Sequence, residues 1–383
     1  SSGDGPGESR QRERVLDLLR TAVRTRNAKA LTRLIWRAGE LRLREAEPVL
    51  LDLLSKRTND MRDYCIAFAL GRMGGSDAAS EALGRIFADR STPPHIRRIA
   101  TLALQELSDE PTRLEFAGHL AQSLPAQLQN VGDDPEVFAK RVDDYLAASK
   151  PEAFAVVETL YMMNTPIVRP AVLAQLAKVE LDTPYWQTVR HVFKAAEYRR
   201  DARVFGFIAW RFEKVRAKFG SKNWGYRYPS GGQLPRSYGG RTRRYLRRRV
   251  WRTMRRAGEL GDLDYVKLAV GVLLAFKDDD VGEGAARGWN GYWSFNWILH
   301  AHNPEYKASP NGTVFRTQRT RVPIPAREEA FPALWDQRPE GLMHLLAASA
   351  CRLVAEFAAK IIRANPTFLN QLEDDDLLVL LSR

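Results

Sequence analysis

Cysteine is almost absent from this sequence, which has only Cys65 and Cys351 among its 383 residues. Both lie far apart and among apolar residues, so we predict two buried free thiols and a reducing, intracellular compartment. Long hydrophobic runs are lacking too, since no apolar stretch approaches the ~18–20 residues that a membrane span needs. The sequence therefore favours neither a disulfide-built domain nor a membrane protein.

Motifs that carry catalysis or bind metals are also lacking. The sequence has no GxSxG, HExxH or Walker pattern. His300, His302 and Glu305 lie close together, but the spacing of the two histidines does not place both on one face of a helix. We therefore predict no catalytic residue, no cofactor and no metal site, and we lean against an enzyme.

Both ends of the sequence lack the features of a complete protein. Residues 1–14, "SSGDGPGESRQRER", contain no initiator Met and are polar, so we predict a disordered leader or a cloning remnant. The last residues, "EDDDLLVLLSR", stop within a helical pattern without a cap. We expect the chain to be a module of a larger intracellular protein.

Acidic residues are scarce in two segments. Residues 201–256 contain seventeen Lys and Arg but only two Asp and Glu, and residues 307–327 contain five Lys and Arg and no acid. The net charge of the chain is +13, so the rest of the sequence is mildly acidic. Charge that is concentrated in this way indicates a polyanionic partner more strongly than the total does.

Strand-like alternation is scarce, and almost every long segment has the helical period. Residues 60–91 contain a helix, a glycine-bearing turn at Gly71, Gly74 and Gly75, and a second helix. The units before and after have the same form, with "RRIATLAL" at 97–104 repeating the small and apolar residues of "AFALGRMGGSDAASEAL" at 67–83. Over residues 15–110 the chain thus resembles the HEAT-repeat (armadillo-like) family. This resemblance implies an all-α fold, an α-solenoid of stacked antiparallel helix pairs.

The pattern suggests six segments. We predict the leader at 1–14, HEAT-like repeats at 15–219, a basic aromatic loop at 220–240, an arginine-rich helix and helical pairs at 241–302, a basic loop or short hairpin at 303–328, and truncated HEAT-like helices at 329–383. The hairpin is expected around "TVFRTQRTRVPI", residues 313–324.

The segment "RTRRYLRRRVWRTMRR", residues 241–256, has nine arginines. On a helix, Leu246, Val250, Met254 and Ala257 form one stripe, and the opposite face carries Arg241, Arg244, Arg248, Arg252 and Arg255. No Asp or Glu interrupts the segment, so we expect the counter-charge to come from outside the helix. Arginine suits bidentate contacts with phosphate or carboxylate.

Two further groups extend this predicted surface. The loop before the helix combines cations with aromatic rings in a flexible Gly- and Ser-rich sequence, as nucleic-acid surfaces do. Its candidate binding residues are Lys222, Trp224, Arg227 and Tyr228. A second basic contact would come from Arg316, Arg319 and Arg321.

Three sources of counter-charge remain open. Acidic residues within the fold, such as Asp278, Asp279 and Asp280, would make the arginine face purely structural. Phosphates would make it a nucleic-acid surface, and an acidic protein would make it a protein interface.

The leading hypothesis from the sequence is a non-enzymatic module that binds nucleic acid, with DNA backbone expected first, in the cytoplasm, the nucleoid or the nucleus. The alternatives are a protein–protein scaffold and a HEAT-like DNA-repair glycosylase that would use Asp262 or Asp264.

Overall fold

A computed structural model describes residues 6–57, 59–181, 184–217, 238–281, 291–308, 314–316, 322–365 and 368. Within these ranges the chain is helical apart from one two-stranded hairpin, so the all-α prediction is confirmed at that level. None of the described helices has both the length and the apolar character of a membrane span. The chain divides into two compact units, Ser1–Asp133 with Thr159–Val168, and Asp134–Glu158 with Arg169–Arg383.

The first unit is built from short helices that follow one another closely. They are α1 (Pro6–Arg24), α2 (Ala28–Glu40), α3 (Glu47–Ser55), α4 (Asp60–Met73), α5 (Asp77–Ala88), α6 (Pro94–Leu107), α7 (Glu110–Gln122) and α8 (Ala126–Gln129). The helix–turn–helix predicted over 60–91 is present as α4 and α5. Gly74 ends α4 with a φ of 69°, and the side chain of Ser76 caps α5.

The predicted leader is partly wrong, because residues 6–14 belong to α1. This helix has a buried stripe at helical spacing, and its residues are Val15, Leu19 and Ala22. One turn before the stripe, Arg12 Nη1 donates a hydrogen bond to the carbonyl of Leu41 at 2.8 Å. Polar composition alone did not reveal that this segment continues a helix that packs on the core.

Helices α2, α4 and α6 pack side by side in the first unit. A Cβ on Gly39 of α2 would lie only 2.7 Å from the Cα of Ala69 in α4, so the two helices touch backbone to backbone. Beside this contact, the rings of Trp36 and Phe68 stack with centroids 3.7 Å apart. Small residues therefore allow close helix approach here, as the repeat pattern predicts.

The second unit contains the remaining helices and the hairpin. Its helices are α9 (Pro135–Ala148), α10 (Val156–Met163, of which residues 159–163 count with the first unit), α11 (Arg169–Lys178), α12 (Trp186–Arg199), α13 (Ala202–Lys214), α14 (Gly240–Glu259), α15 (Asp264–Leu274), α16 (Asp278–Val281), α17 (Trp293–His300), α18 (Pro332–Asp336), α19 (Pro339–Ala348) and α20 (Arg352–Ala364). Cys65 of the first unit and Cys351 of the second are buried free thiols, as predicted.

Helices α13 and α15 cross at two glycines. A Cβ on Gly206 would lie 2.0 Å from the carbonyl oxygen of Gly271, and one on Gly271 would lie 2.0 Å from the carbonyl oxygen of Ala202. Only hydrogen fits at both positions, so the two backbones are in direct contact. Because α14 packs against both helices, this crossing fixes the frame on which α14 lies.

The hairpin differs from its predicted position. Strand β1 (Tyr306–Ala308) pairs antiparallel with β2 (Val314–Arg316), so only β2 falls within the predicted residues 313–324. Two physical reasons account for the shift. Pro323 and Pro325 lack the N–H groups that a ladder needs, and the ring of Tyr306 stacks on His300 of α17 at 4.2 Å.

Candidate nucleic-acid interface

The arginine segment forms a single helix, α14, as predicted. Its apolar stripe is buried, with no residue more than 2 % exposed, and consists of Leu246, Val250, Met254 and Ala257. This stripe packs against α13, α15 and α17. Six of the nine arginines of residues 241–256 fall into two groups of three, one beside this stripe and one on the opposite face, and the two groups have different surroundings.

Arg243 lies beside the stripe and binds the end of α13. Its Nε donates to the carbonyl of Phe212 at 3.0 Å, and its Nη2 donates to the carbonyl of Glu213 at 2.6 Å. Carbonyls in the last turn of a helix have no partner within that helix and carry its partial negative charge. Arg243 therefore acts as a cationic cap for α13.

Arg247 forms a buried ion pair with Glu213, with 2.5 Å between Nε and Oε2. The two residues are only 5 % and 3 % exposed. Arg247 also donates to the carbonyl of Gly291 at 2.8 Å, and Glu213 accepts from the backbone amide of Ser294 at 3.2 Å. Burial raises the pKa of Glu213, although Arg247 and the Ser294 amide oppose that rise. The pair connects α13, α14 and α17.

Arg249 lies on the other side of the stripe and binds Glu197 of α12 through two nitrogens. Its Nε and Nη2 lie 2.9 Å and 2.5 Å from Glu197 Oε2, and Thr253 donates to the other oxygen. Burial alone would raise the pKa of Glu197, but the charge of Arg249 and these hydrogen bonds outweigh burial and lower it. Glu197 therefore stays ionised as the counter-ion of Arg249.

These three arginines are not among the predicted binding residues, and neither Glu197 nor Glu213 was singled out from the sequence. Their position offers a signal: Arg243, Arg247 and Arg249 all lie next to the buried stripe on a helical wheel. A cation at the edge of a buried stripe must find an acid or a backbone carbonyl on a neighbouring element, since an unpaired buried charge is costly. Which partner each arginine finds depends on the tertiary packing.

The side chains on the opposite face have different surroundings. Within the described ranges, Arg244, Arg248 and Arg252 form no ion pair and no hydrogen bond through their side chains. Arg244 and Arg248 are exposed, and Arg252 is half-buried. They recur every four residues, so their Cα atoms span about 12 Å along the helix at 1.5 Å per residue. The structure thus brings these three predicted residues together as one open cationic row.

The other two predicted residues of α14 differ from this row. Arg255 binds Glu259 of the same helix at 2.7 Å and lies over the ring of Trp251, 5.1 Å from its centroid. The expectation that all counter-charge lies outside the helix is therefore wrong for Arg255, because the acid follows just after the arginine segment. Arg241 is exposed but makes contacts of its own.

The acidic turn that could have neutralised the arginine face serves another partner. Asp280 accepts from Lys214 Nζ at 2.6 Å and from Trp210 Nε1 at 2.8 Å, and Asp278 accepts from the backbone amide of Arg352 at 2.7 Å. Glu197, Glu213 and Glu259 do supply counter-charge to arginines of α14.

Most of the remaining predicted residues lie outside the described ranges. These residues are Lys222, Trp224, Arg227, Tyr228, Arg319 and Arg321. Arg316 ends strand β2. At the end of the predicted basic loop, Tyr238 is buried and donates to the carbonyl of Phe212 at 3.0 Å. This one described ring of the loop therefore belongs to the core.

The aromatic stretch at the start of α17 packs against the arginine helix. Trp293 is buried and stacks on Trp251 with centroids 5.1 Å apart, and Trp297 meets Trp251 edge-on at 6.2 Å. At the end of α17, His300 Nδ1 lies 3.0 Å from Glu328 Oε2. Among the described residues, no cluster of His, Cys, Asp and Glu could hold a metal ion.

The two aspartates considered for a glycosylase have local structural roles. Asp262 accepts from the backbone amide of Asp264 at 2.9 Å, and the carboxylate of Asp264 lies 3.6 Å from Arg200. Neither contact favours a catalytic role. Comparison with known proteins adds no functional assignment, since no family model, curated protein or solved structure matches this chain.

Proposed function

We propose that this chain binds the phosphate backbone of nucleic acid through the exposed row formed by Arg244, Arg248 and Arg252. The observation that carries the proposal is the division of charge on α14. Arginines beside the buried stripe have carboxylate or carbonyl partners, whereas the row on the far side has none within the described ranges. Guanidinium groups without internal acids are suited to bind phosphate oxygens through two nitrogens.

The anchoring of the helix supports the same proposal. The side chains of Arg247 and Arg249 hold α14 to its neighbours by paired charges. The open row therefore projects from a helix whose position is fixed, which lowers the entropic cost of binding. Like charges at i and i+4 destabilise a helix by roughly 0.2–0.5 kcal/mol per pair, so an external anion would relieve a repulsion built into the sequence.

Charge reversal of the row tests this proposal. We expect the parent protein to bind duplex and single-stranded oligonucleotides with an affinity that falls steeply with salt, and the triple variant Arg244→Glu/Arg248→Glu/Arg252→Glu to lose this binding. Three phosphate contacts on duplex DNA correspond to a slope of about −2.7, or roughly a 40-fold loss between about 50 and 200 mM salt. Fluorescence anisotropy with labelled oligonucleotides measures both effects.

A matched variant controls for net charge. Arg10, Arg14 and Lys29 are exposed cations of α1 and α2, also without side-chain partners in the described ranges. Changing all three to Glu alters the net charge by the same amount, and we expect this variant to keep most of the binding. Parental affinity in the α14 variant would overturn the proposal. Binding to poly-glutamate but not to nucleic acid would overturn it in favour of an acidic protein partner.

The proposal extends to architecture and compartment. We propose that the helices stack as a HEAT-like α-solenoid, supported by the side-by-side packing of α2, α4 and α6 and by the same alternation of α13, α15 and α19. The chain would act as a non-catalytic binding module, in the cytoplasm or, with DNA as its partner, in the nucleoid or nucleus.

A further inference from the structure

One aromatic side chain lies on the open face of α14 and was not singled out from the sequence. Tyr245 is 50 % exposed, whereas most large apolar and aromatic side chains of the described chain are buried or half-buried. On the helix, Tyr245 is three residues before Arg248 and seven before Arg252. Positions three, four and seven apart share a face, so this ring and the open cationic row lie together.

The ring is also held in place. Tyr245 Oη accepts a hydrogen bond from Arg249 Nη1 at 3.2 Å. Arg249 is itself fixed by its two-nitrogen contact with Glu197, which is anchored in α12. An exposed phenol on a helix would ordinarily move among rotamers, but here Arg249 connects its hydroxyl to the half-buried carboxylate of Glu197. The exposed side of the ring is therefore presented in a restricted orientation.

We propose that Tyr245 is a base-stacking residue and that the surface of α14 takes single-stranded nucleic acid in preference to duplex. This inference rests on the proposed function and specifies its ligand. A cationic row beside an exposed aromatic ring is the combination that binds single strands, because phosphates meet the cations and an unstacked base covers the ring. In a duplex the base faces are already stacked on each other, so the ring gains nothing.

The other aromatic residue near the row cannot serve in this way. Trp251 is covered on one side by the stacked ring of Trp293 and approached by the guanidinium of Arg255 at 5.1 Å. Its faces are therefore occupied within the protein. Among the described residues of α14, Tyr245 is the ring that remains open to a ligand.

Two substitutions separate the ring from the hydroxyl. Tyr245→Leu keeps an apolar side chain but removes the aromatic face, and Tyr245→Phe keeps the face but removes the hydroxyl. We expect Tyr245→Leu to weaken binding of a single strand of about 15 thymidines by about fivefold or more, the loss associated with one stacked base. Duplex binding should stay at the parental level, and Tyr245→Phe should keep most of the single-strand affinity.

A control and the possible outcomes complete the experiment. Leu114→Ala removes a 60 % exposed side chain from α7 and should leave binding unchanged, and circular dichroism must show parental helicity in all variants. Parental single-strand affinity in Tyr245→Leu overturns the stacking role and leaves the phosphate row intact. An equal loss of single-strand affinity in Tyr245→Phe assigns the effect to the hydroxyl and also overturns the stacking role. If the parent binds neither strand form, the proposed function itself fails.

Discussion

At the scale of single residues, the arginines of α14 differ by what surrounds them. The sequence predicted the buried stripe and the opposite face correctly, because both follow from helical geometry alone. It did not reveal that Arg243 and Arg247 bind the end of α13, since those partners lie some thirty residues earlier in the chain. Periodicity locates the face of a residue, whereas its partner depends on which helices become neighbours.

The buried pair of Arg247 and Glu213 should be costly to break from one side. We expect Arg247→Met or Glu213→Gln alone to lower the free energy of unfolding by about 3–5 kcal/mol, since each leaves an uncompensated buried charge or a lost partner. The double variant Arg247→Met/Glu213→Gln should lose less than the sum of the two. Urea unfolding followed by tryptophan fluorescence measures this, because eight of the nine tryptophans lie in the second unit. Additive losses would contradict a coupled pair.

A second residue-scale prediction concerns acid stability. Burial alone would raise the pKa of Glu328, but hydrogen bonds from His300, Lys360 and Asn303 outweigh burial and lower it from 4.5 to about 2. A carboxylate with a lowered pKa stabilises the fold above its unfolded pKa and loses that contribution as the pH falls through its folded pKa.

The window for this loss therefore runs from about pH 4.5 down to about pH 2. We expect the parent to be more stable than Glu328→Gln at neutral pH by on the order of 3 kcal/mol, and this difference to shrink across that window. Urea titrations at a series of pH values would show the two curves converge. A constant difference down to pH 2 would contradict the assignment.

At the scale of elements, the crossing of α13 and α15 controls where α14 lies. We expect Gly206→Ala or Gly271→Ala to destabilise the protein by about 1–3 kcal/mol, because the added methyl meets a backbone carbonyl that cannot move aside as a side chain would. Thermal unfolding followed by circular dichroism measures the loss.

The matched control is Gly84→Ala in α5, where a Cβ has nothing within 4 Å. There the change should stabilise by about 0.5–1 kcal/mol, since alanine favours a helix over glycine. Equal effects at Gly84 and Gly206 would show that helix propensity rather than helix contact decides the result.

Helices were predicted well where apolar residues keep the helical period over a long segment, and other elements were predicted less well. Helices α4, α5 and α14 occupy their predicted positions. The hairpin was misplaced because its first strand, Tyr306–Ala308, is too short to show alternation and depends on the contact of Tyr306 with His300. The start of α1 was missed because polar residues at a helix end resemble a disordered leader.

At the scale of the whole molecule, the charge distribution combines two different roles. The sequence shows an excess of cations in residues 201–256. The structure shows that some of these cations bind carboxylates and carbonyls of neighbouring helices and so hold the helices together. Arg243, Arg247 and Arg249 belong to that structural part. Net charge therefore overstates the binding surface, and among the described residues of α14 it is the row opposite the buried stripe that supports the proposed contact with phosphate.

The close contact of α13 and α15 at Gly206 and Gly271 has a consequence for recognising homologues of this protein. Surface arginines can be exchanged or moved without loss of the fold. Gly206 and Gly271 cannot be exchanged in this way, because neither position has room for a side chain. A search for this glycine pair, in the two apolar helices that precede and follow an arginine-rich one, should detect distant homologues whose overall similarity is low.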